Sequence, residues 1–179
     1  GHFVPNMSLG AQIVKCLRPH SKMVFDTHLM ISDPLKYLDD FISAGSDIVT
    51  VHYEAAQAEE CLKAIRAKGA RAGLSIKPMT EPEEIKELLP LCDLVLIMSV
   101  EPGFGGQAFM PDSLRKARIL KQMVKDAGLD IELEIDGGIG PSNIAEVAEA
   151  GIDVVVAGSS VYGAKDPHEA IDILKKAGK

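Results

Sequence analysis

The sequence has no long apolar run, no excess of basic residues and no close pair of cysteines, and each absence excludes a class of protein. No stretch approaches the ~18 consecutive apolar residues of a membrane-spanning helix, so we expect no membrane partner. The formal net charge of −7 argues against a nucleic-acid partner, because binding to the phosphate backbone needs a basic surface. A small anionic ligand is compatible with this charge, since backbone N–H groups can hold a single phosphate.

The cysteines are few, odd in number and widely spaced: Cys16, Cys61 and Cys92, with no CxxC pair. This spacing predicts reduced thiols in the core of a cytosolic protein rather than a disulfide framework or a catalytic thiol. No signal peptide is visible in the sequence, which begins with Gly1. We therefore expect a cytoplasmic location.

The composition is that of an ordinary globular protein, with 46% hydrophobic and 25% charged residues among 179. The chain is long enough for one well-formed core, and it has no low-complexity segment or linker. We therefore expect a single domain over residues 1–179.

Six short apolar runs recur along the chain, and each ends in polar or glycine residues. They are rich in Val, Ile and Leu and continuous rather than alternating, which predicts a parallel sheet covered on both faces. We expect strands near 23–29, 48–53, 71–76, 93–99, 131–136 and 153–158. The stretches between them predict helices near 10–18, 34–44, 57–68, 82–90, 111–127, 141–150 and 167–176.

This α/β pattern is compatible with an open doubly wound sheet or with a closed (β/α)8 TIM barrel. Polar residues at nearly every strand end favour the barrel, whose active sites lie at the carboxyl ends of the strands. Such a barrel has eight strands, whereas the sequence supplies six, and residues 1–6 resemble a loop that follows a strand. We therefore expect an N-terminally truncated barrel, because six units would leave two open parallel edges.

Glycine-rich segments follow three of the predicted strands. In residues 101–107, three glycines in four positions allow the backbone to fold closely around a ligand oxygen. Two further clusters follow the last two strands, where barrels of this kind usually hold a phosphate. The candidate substrate-binding residues in these segments are Gly103, Phe104, Gly105, Gly106, Gly137, Gly138, Gly158 and Ser159.

Two strand ends carry side chains that can bind a metal. His28 closes the first predicted strand and Asp136 the fifth. Imidazole and carboxylate together suit zinc, iron, manganese or cobalt, and Asp136 is also a candidate for proton transfer. The alternatives are a structural histidine at 28 and a turn or helix-capping aspartate at 136.

Other polar and sulfur-containing residues lie near the same predicted strand ends. We interpret His52, with Glu54 nearby, as a residue that orients a metal-binding side chain or the substrate, rather than as a residue that binds the metal itself. Lys77 either offers a cation to the site or is a solvated strand end. Met30 and Met98 would form an apolar floor for the site or pack in the core.

At these residues the sequence resembles the ribulose-phosphate 3-epimerase family of phosphate-binding (β/α) barrels. The resemblance is carried by seven segments in order: residues 1–6, 26–30, 51–55, 74–78, 98–107, 134–140 and 156–160. It implies a barrel of the ribulose-phosphate-binding type that interconverts D-ribulose 5-phosphate and D-xylulose 5-phosphate. It also implies a small sugar phosphate as the partner and a homo-oligomer as the assembly.

The resemblance implies that two aspartates on opposite faces of the sugar exchange the C3 proton through an enediolate. A divalent metal would polarise the C2 carbonyl. By position, His28 and Asp136 are the implied metal ligands, and Asp136 is one acid/base. The glycine segments with Ser159, together with His28 and Met30, would contact the substrate and its phosphate.

In the family a second histidine ligand and a second catalytic aspartate lie on the strand just before residues 1–6. If residues 1–179 are the whole polypeptide, we expect negligible epimerase activity; if they are part of a longer product, we expect that product to be the epimerase. Two alternatives stay open: a sugar-phosphate decarboxylase or aldolase on a similar barrel, and a non-catalytic phosphate-binding fragment. A catalytic lysine beside a carboxylate would favour the decarboxylase or aldolase, but Lys77 lacks an Asp-x-Lys pattern.

Overall fold

The computed structural model describes residues 2–178. Gly1, the first residue of the predicted opening loop, and Lys179, the last residue of the predicted domain, lie outside this range. Within it, no helix is both long and apolar enough to cross a bilayer.

All six predicted strands are present and parallel. They are β1 Asp26–Leu29, β2 Ile48–His52, β3 Arg71–Ile76, β4 Leu94–Met98, β5 Glu132–Asp136 and β6 Val154–Val156. Each strand pairs with the next along the chain, in the order β1-β2-β3-β4-β5-β6. This order is the one that successive right-handed βα crossovers produce.

Helices connect the strands close to the predicted positions. The α-helices within residues 2–178 are α1 Ala11–Leu17, α2 Leu38–Ala44, α3 Ala58–Ala67, α4 Asp112–Asp126, α5 Ile144–Glu149, α6 Ser159–Tyr162 and α7 Pro167–Ala177. Three further segments are 3₁₀ helices: Arg18–His20, Pro34–Lys36 and Pro82–Leu91. The helix predicted near 82–90 is thus of the tighter 3₁₀ type, and α6 was not predicted.

The sheet curls into a half-barrel with its helices on the convex side. The side-chain carboxyl groups of Asp26 on β1 and Glu134 on β5 form a hydrogen bond across the concave face. In a flat sheet, strands four places apart would be separated by about 19 Å. The sheet is therefore strongly curved, as in a TIM barrel.

Two apolar clusters stabilise this arrangement. The larger one joins the convex face of the sheet to the helices, with fully buried residues such as Leu62 on α3, Leu74 on β3 and Leu120 on α4. The smaller one fills the concave face with Ile48, Leu94, Leu96, Met98 and Val100, against which Met30 packs. β2 and β4 are buried along their whole length because both faces are covered.

The cysteine prediction is correct for two of the three residues. Cys61 and Cys92 are buried in the larger cluster, and burial raises the pKa of both thiols, to about 11 and about 12. Cys16 is exposed on α1. The prediction of a core position for Cys16 was therefore wrong, because α1 contributes no buried residue.

Candidate active site

A cavity of about 850 Å³ lies at the carboxyl ends of the strands. Residues from strand ends and from the loops after them line it together, as the barrel pattern predicts. The cavity wall contains every residue that the sequence predicted to bind the metal or the substrate: His28, Met30, Gly103, Phe104, Gly105, Gly106, Asp136, Gly137, Gly138, Gly158 and Ser159. The sequence pattern therefore selected residues that meet in space, although their individual roles stay predictions.

His28 and Asp136 reach the cavity from opposite parts of the sheet. Alternate side chains of a strand point to the same face, so His28 shares the concave face with Asp26, and Asp136 shares it with Glu134. The contact between Asp26 and Glu134 then brings the next pair along the two strands, His28 and Asp136, to the wall of one cavity.

Burial shifts the pKa of both groups. It lowers the pKa of His28 to about 3, with a further lowering from His52 and an opposing effect of Glu54, so this imidazole is neutral at pH 7 and keeps a lone pair. Burial raises the pKa of Asp136 above its ordinary value. Within residues 2–178, no group of three or more His, Cys, Asp or Glu side chains is arranged to hold a metal.

The second histidine of the site lies behind the first. His52 is fully buried, and its Nε2 is 2.8 Å from His28 Nε2. On the other side of the ring, His52 Nδ1 is 3.0 Å from Glu54 Oε2. His52 therefore contacts the candidate ligand His28, as its predicted orienting role requires.

Glu54 is itself held by the loop after β3. Burial alone would raise its pKa, but hydrogen bonds from His52, from the Lys77 N–H and from the Thr80 hydroxyl lower the pKa to about 2. The Lys77 N–H is 2.8 Å from Glu54 Oε1. Both carboxylate oxygens are thus occupied, and Glu54 is ionised at neutral pH.

The Lys77 side chain does not take part in the cavity wall as the structure describes it. Its ammonium group lies over the ring of Phe3, 4.0 Å from the ring centre. Phe3 in turn packs against His52, with 4.7 Å between ring centres. The structure therefore does not favour Lys77 as a group that reacts with a ligand in the cavity.

The glycine loop after β4 is held in shape by the side chain of Gln107, one of its own residues. Gln107 Nε2 donates to the carbonyl oxygens of Glu101 at 2.7 Å and Phe104 at 2.8 Å. Gly103 and Gly106 have φ values of +127° and +76°, which other residues rarely adopt. The loop is therefore closed internally while its glycines line the cavity.

The loop after β5 requires glycine for steric reasons. A Cβ at Gly137 would lie 2.5 Å from Val100 Cγ2, and a Cβ at Gly138 would lie 2.6 Å from the Phe109 nitrogen. By contrast, no described atom lies within 4 Å of a Cβ placed at Gly158. Gly158 therefore borders open space in the cavity wall.

Two side chains that fix these loops were missed in the sequence. The buried Ser99 donates its hydroxyl to the Gly137 carbonyl at 2.7 Å. Asn143 bridges the next turn, donating to the Gly138 carbonyl at 3.0 Å and accepting from the Gly140 N–H at 2.9 Å. An asparagine three residues after a glycine turn was the available signal, whereas Ser99 gave none.

A half-barrel with carboxylate, imidazole and glycine loops at its strand ends is typical of α/β-barrel enzymes. Solved structures with this fold include KGPDC from Streptococcus mutans in complex with D-R5P, with a TM-score of 0.77, 15% identity, and coverage of 95% of this chain and 79% of that one. A 3-hexulose-6-phosphate synthase gives a TM-score of 0.72 with 22% identity, covering 94% of this chain and 80% of that one. At such identities the similarity shows the fold alone.

Curated relatives are far more similar in sequence. The ribulose-phosphate 3-epimerase of Synechocystis sp. is 47% identical over 174 residues, covering 96% of this chain and 76% of that protein. The cytoplasmic isoform of Oryza sativa is 44% identical over 182 residues, covering 99% and 78%. The model of the ribulose-phosphate 3-epimerase family matches residues 1–162. The chain belongs to the ribulose-phosphate 3-epimerase family, and neither alternative from the sequence is favoured.

Proposed function

We propose that the protein is an isomerase that interconverts D-ribulose 5-phosphate and D-xylulose 5-phosphate by epimerisation at C3. The observation that carries this proposal is the position of Asp136, a half-buried carboxyl group in the wall of the same cavity as His28 and the glycine loops. The names of the curated relatives support the same reaction.

Asp136 is the proposed acid/base on one face of the sugar. As a carboxylate it removes the C3 proton, giving an enediolate, and in the reverse direction it returns a proton to the same face. Because burial raises its pKa, Asp136 is a stronger base than an exposed aspartate, which suits proton transfer near neutral pH. Inversion also requires an acid/base on the opposite face.

His28 and Asp136 are the proposed protein ligands of one divalent cation, which is zinc, iron, manganese or cobalt. A neutral imidazole and a carboxylate are donors that these ions accept. Two protein donors leave further coordination positions for water, substrate oxygens or other protein groups. When bound, such a cation polarises the substrate carbonyl and stabilises negative charge on its oxygen.

The glycine loops after β4, β5 and β6 are the proposed site for the rest of the substrate and its phosphate. Backbone N–H groups in such loops can hold phosphate oxygens without a basic side chain, which agrees with the net charge of −7. Phe104 and Met30 would contact the carbon chain of the sugar, and Ser159 would donate its hydroxyl to the phosphate.

The finer architecture is also a proposal. The strong curvature of the sheet supports an eight-stranded barrel of the ribulose-phosphate-binding type, of which β1–β6 are six strands. Within residues 2–178, β1 and β6 each pair on one side only, and unpaired parallel edges invite association. We also propose a homo-oligomer and a cytoplasmic location, the latter supported by the name of the rice relative.

The reaction can be tested with D-ribulose 5-phosphate and Co²⁺ in D2O, followed by proton NMR. In protein that also carries the acid/base on the opposite face, we expect D-xylulose 5-phosphate to accumulate to equilibrium, with deuterium incorporated at C3. Absence of both products, in a protein shown to be folded, would contradict the proposal. Release of carbon dioxide from 3-keto-L-gulonate 6-phosphate without C3 exchange would favour a decarboxylase instead.

A further inference from the structure

A chain of hydrogen-bonding groups leads from the loop after β3 to His28. The loop is fixed at one end by Lys116, which is only 2% exposed and donates to the carbonyl oxygens of Pro78 and Thr80. The same loop presents the Lys77 N–H and the Thr80 hydroxyl to Glu54 Oε1. Glu54 is therefore held rigidly, with its second oxygen directed at His52 Nδ1.

The donor and acceptor roles along this chain follow from Glu54. A carboxylate can only accept hydrogen bonds, so the hydrogen between Glu54 and His52 belongs to His52 Nδ1. Because His28 Nε2 faces His52, only His28 Nδ1 can bind the proposed cation, and His52 Nε2 is then the acceptor of the hydrogen on His28 Nε2. The contact of 2.8 Å between the two Nε2 atoms accordingly assigns the shared hydrogen to His28.

We propose that Glu54 is a positioning residue which, through His52, fixes the ring hydrogen of His28 on Nε2 and leaves the lone pair of His28 on Nδ1 for the divalent cation. This inference rests on the proposed metal role of His28 and extends it to two residues behind the cavity. Hydrogen-bonded groups behind a metal-binding histidine set its tautomer and ring orientation.

The decisive variant is Glu54→Gln. The Lys77 N–H and the Thr80 hydroxyl would keep the amide oxygen of Gln on their side, so the amide N–H would face His52 Nδ1. His52 Nδ1 would then have to accept, its Nε2 would donate, and the hydrogen of His28 would move to Nδ1. The substitution thus exchanges the donor and acceptor roles along these hydrogen-bonded groups, with almost no change in the shape of the side chain.

The measurement is long-range ¹H–¹⁵N NMR of the histidine rings in metal-free protein, combined with Co²⁺ titration. In the unmodified protein we expect the hydrogen of His28 on Nε2. In Glu54→Gln we expect it on Nδ1, with Co²⁺ binding weakened by roughly 10–100-fold. A His28 hydrogen on Nδ1 in the unmodified protein would overturn the inference, and this holds even if Glu54→Gln fails to fold.

Two control variants separate the proposed role of Glu54 from general effects on the charge and flexibility of the protein. Glu59→Gln removes a carboxylate from the exposed surface of α3, and Lys116→Met loosens the loop without changing Glu54. Both should keep the His28 hydrogen on Nε2 and Co²⁺ affinity within about twofold. An equal tautomer change in Lys116→Met, or no change in Glu54→Gln, would refute the proposed positioning role of Glu54. Because the rings are observed without metal or substrate, a failure of the proposed epimerase activity would be recognised separately.

Discussion

Asp26 and Glu134, on the first and fifth strands, hold their carboxyl groups against each other across the concave face of the sheet. Burial raises the pKa of both groups, and the neighbouring charges of Asp26 and Asp136 raise that of Glu134 further, to about 8. Two carboxylates in contact cannot both ionise cheaply, so the pair keeps a proton at neutral pH. The contact that spans the curved sheet therefore makes the stability of the protein depend on pH.

We predict that the contribution of Glu134 to the stability of the folded protein falls between pH 5 and pH 8. The folded-state pKa of Glu134 is raised above its unfolded value, so its favourable contribution is complete below the unfolded pKa and is lost as pH rises through about 8. Glu134→Gln should remove much of this decline, on the order of a few kcal/mol. Thermal unfolding at pH 5 and pH 8 measures this loss of stability, with Glu146→Gln on α5 as the control. Equal pH dependence in all three proteins would refute the assignment.

A second prediction concerns the close approach of β2 and β3. Gly73 pairs with Thr50 in the sheet, and a Cβ at Gly73 would overlap the Thr50 hydroxyl and lie 2.9 Å from Thr50 Cβ. Gly73→Ala should lower the free energy of unfolding by about 1–3 kcal/mol or more. The double variant with Thr50→Ala should recover part of this loss, because the closest atom is gone. An unchanged denaturant midpoint in Gly73→Ala would contradict this prediction, because it would mean that β2 and β3 move apart at little cost.

A third prediction concerns the proposed phosphate position. Gly158 has φ −86° and open space around its Cβ position, so Gly158→Ala should fold with nearly normal stability. The added methyl group would lie at the cavity wall, and we expect KM for D-ribulose 5-phosphate to rise about tenfold with a smaller change in kcat. Gly140→Ala, outside the described cavity wall, is the matched control. A normal KM in Gly158→Ala would remove this loop from the phosphate site.

The strands and the site were predictable because each rests on a local pattern. The apolar runs gave six strands with end positions within a few residues, and β3 matched at both ends. The largest error at a strand start was at β1, which begins at Asp26 because Met23 and Val24 remain 76% and 64% exposed. The cavity residues followed from one rule, that carboxyl ends of parallel strands share an edge.

What the sequence did not reveal depends on contacts between distant residues. The 3₁₀ form of Pro82–Leu91 reflects packing and two prolines that a helical period cannot distinguish from an α-helix. The contact between the His28 and His52 rings, and that between Ser99 and Gly137, join residues 24 and 38 positions apart. Their geometry is decided by strand register and curvature, which no local pattern encodes.

The central claim is that Asp136 both transfers the C3 proton and binds the divalent cation. The most direct measurement is Asp136→Asn, compared with Asp126→Asn, an identical change on the exposed end of α4. Both should be assayed for C3 proton exchange in D2O and for bound metal after dialysis. The account predicts that Asp136→Asn loses exchange by about 10²–10⁴-fold and loses most of its metal, while Asp126→Asn keeps both. Normal exchange and metal content in Asp136→Asn would contradict it.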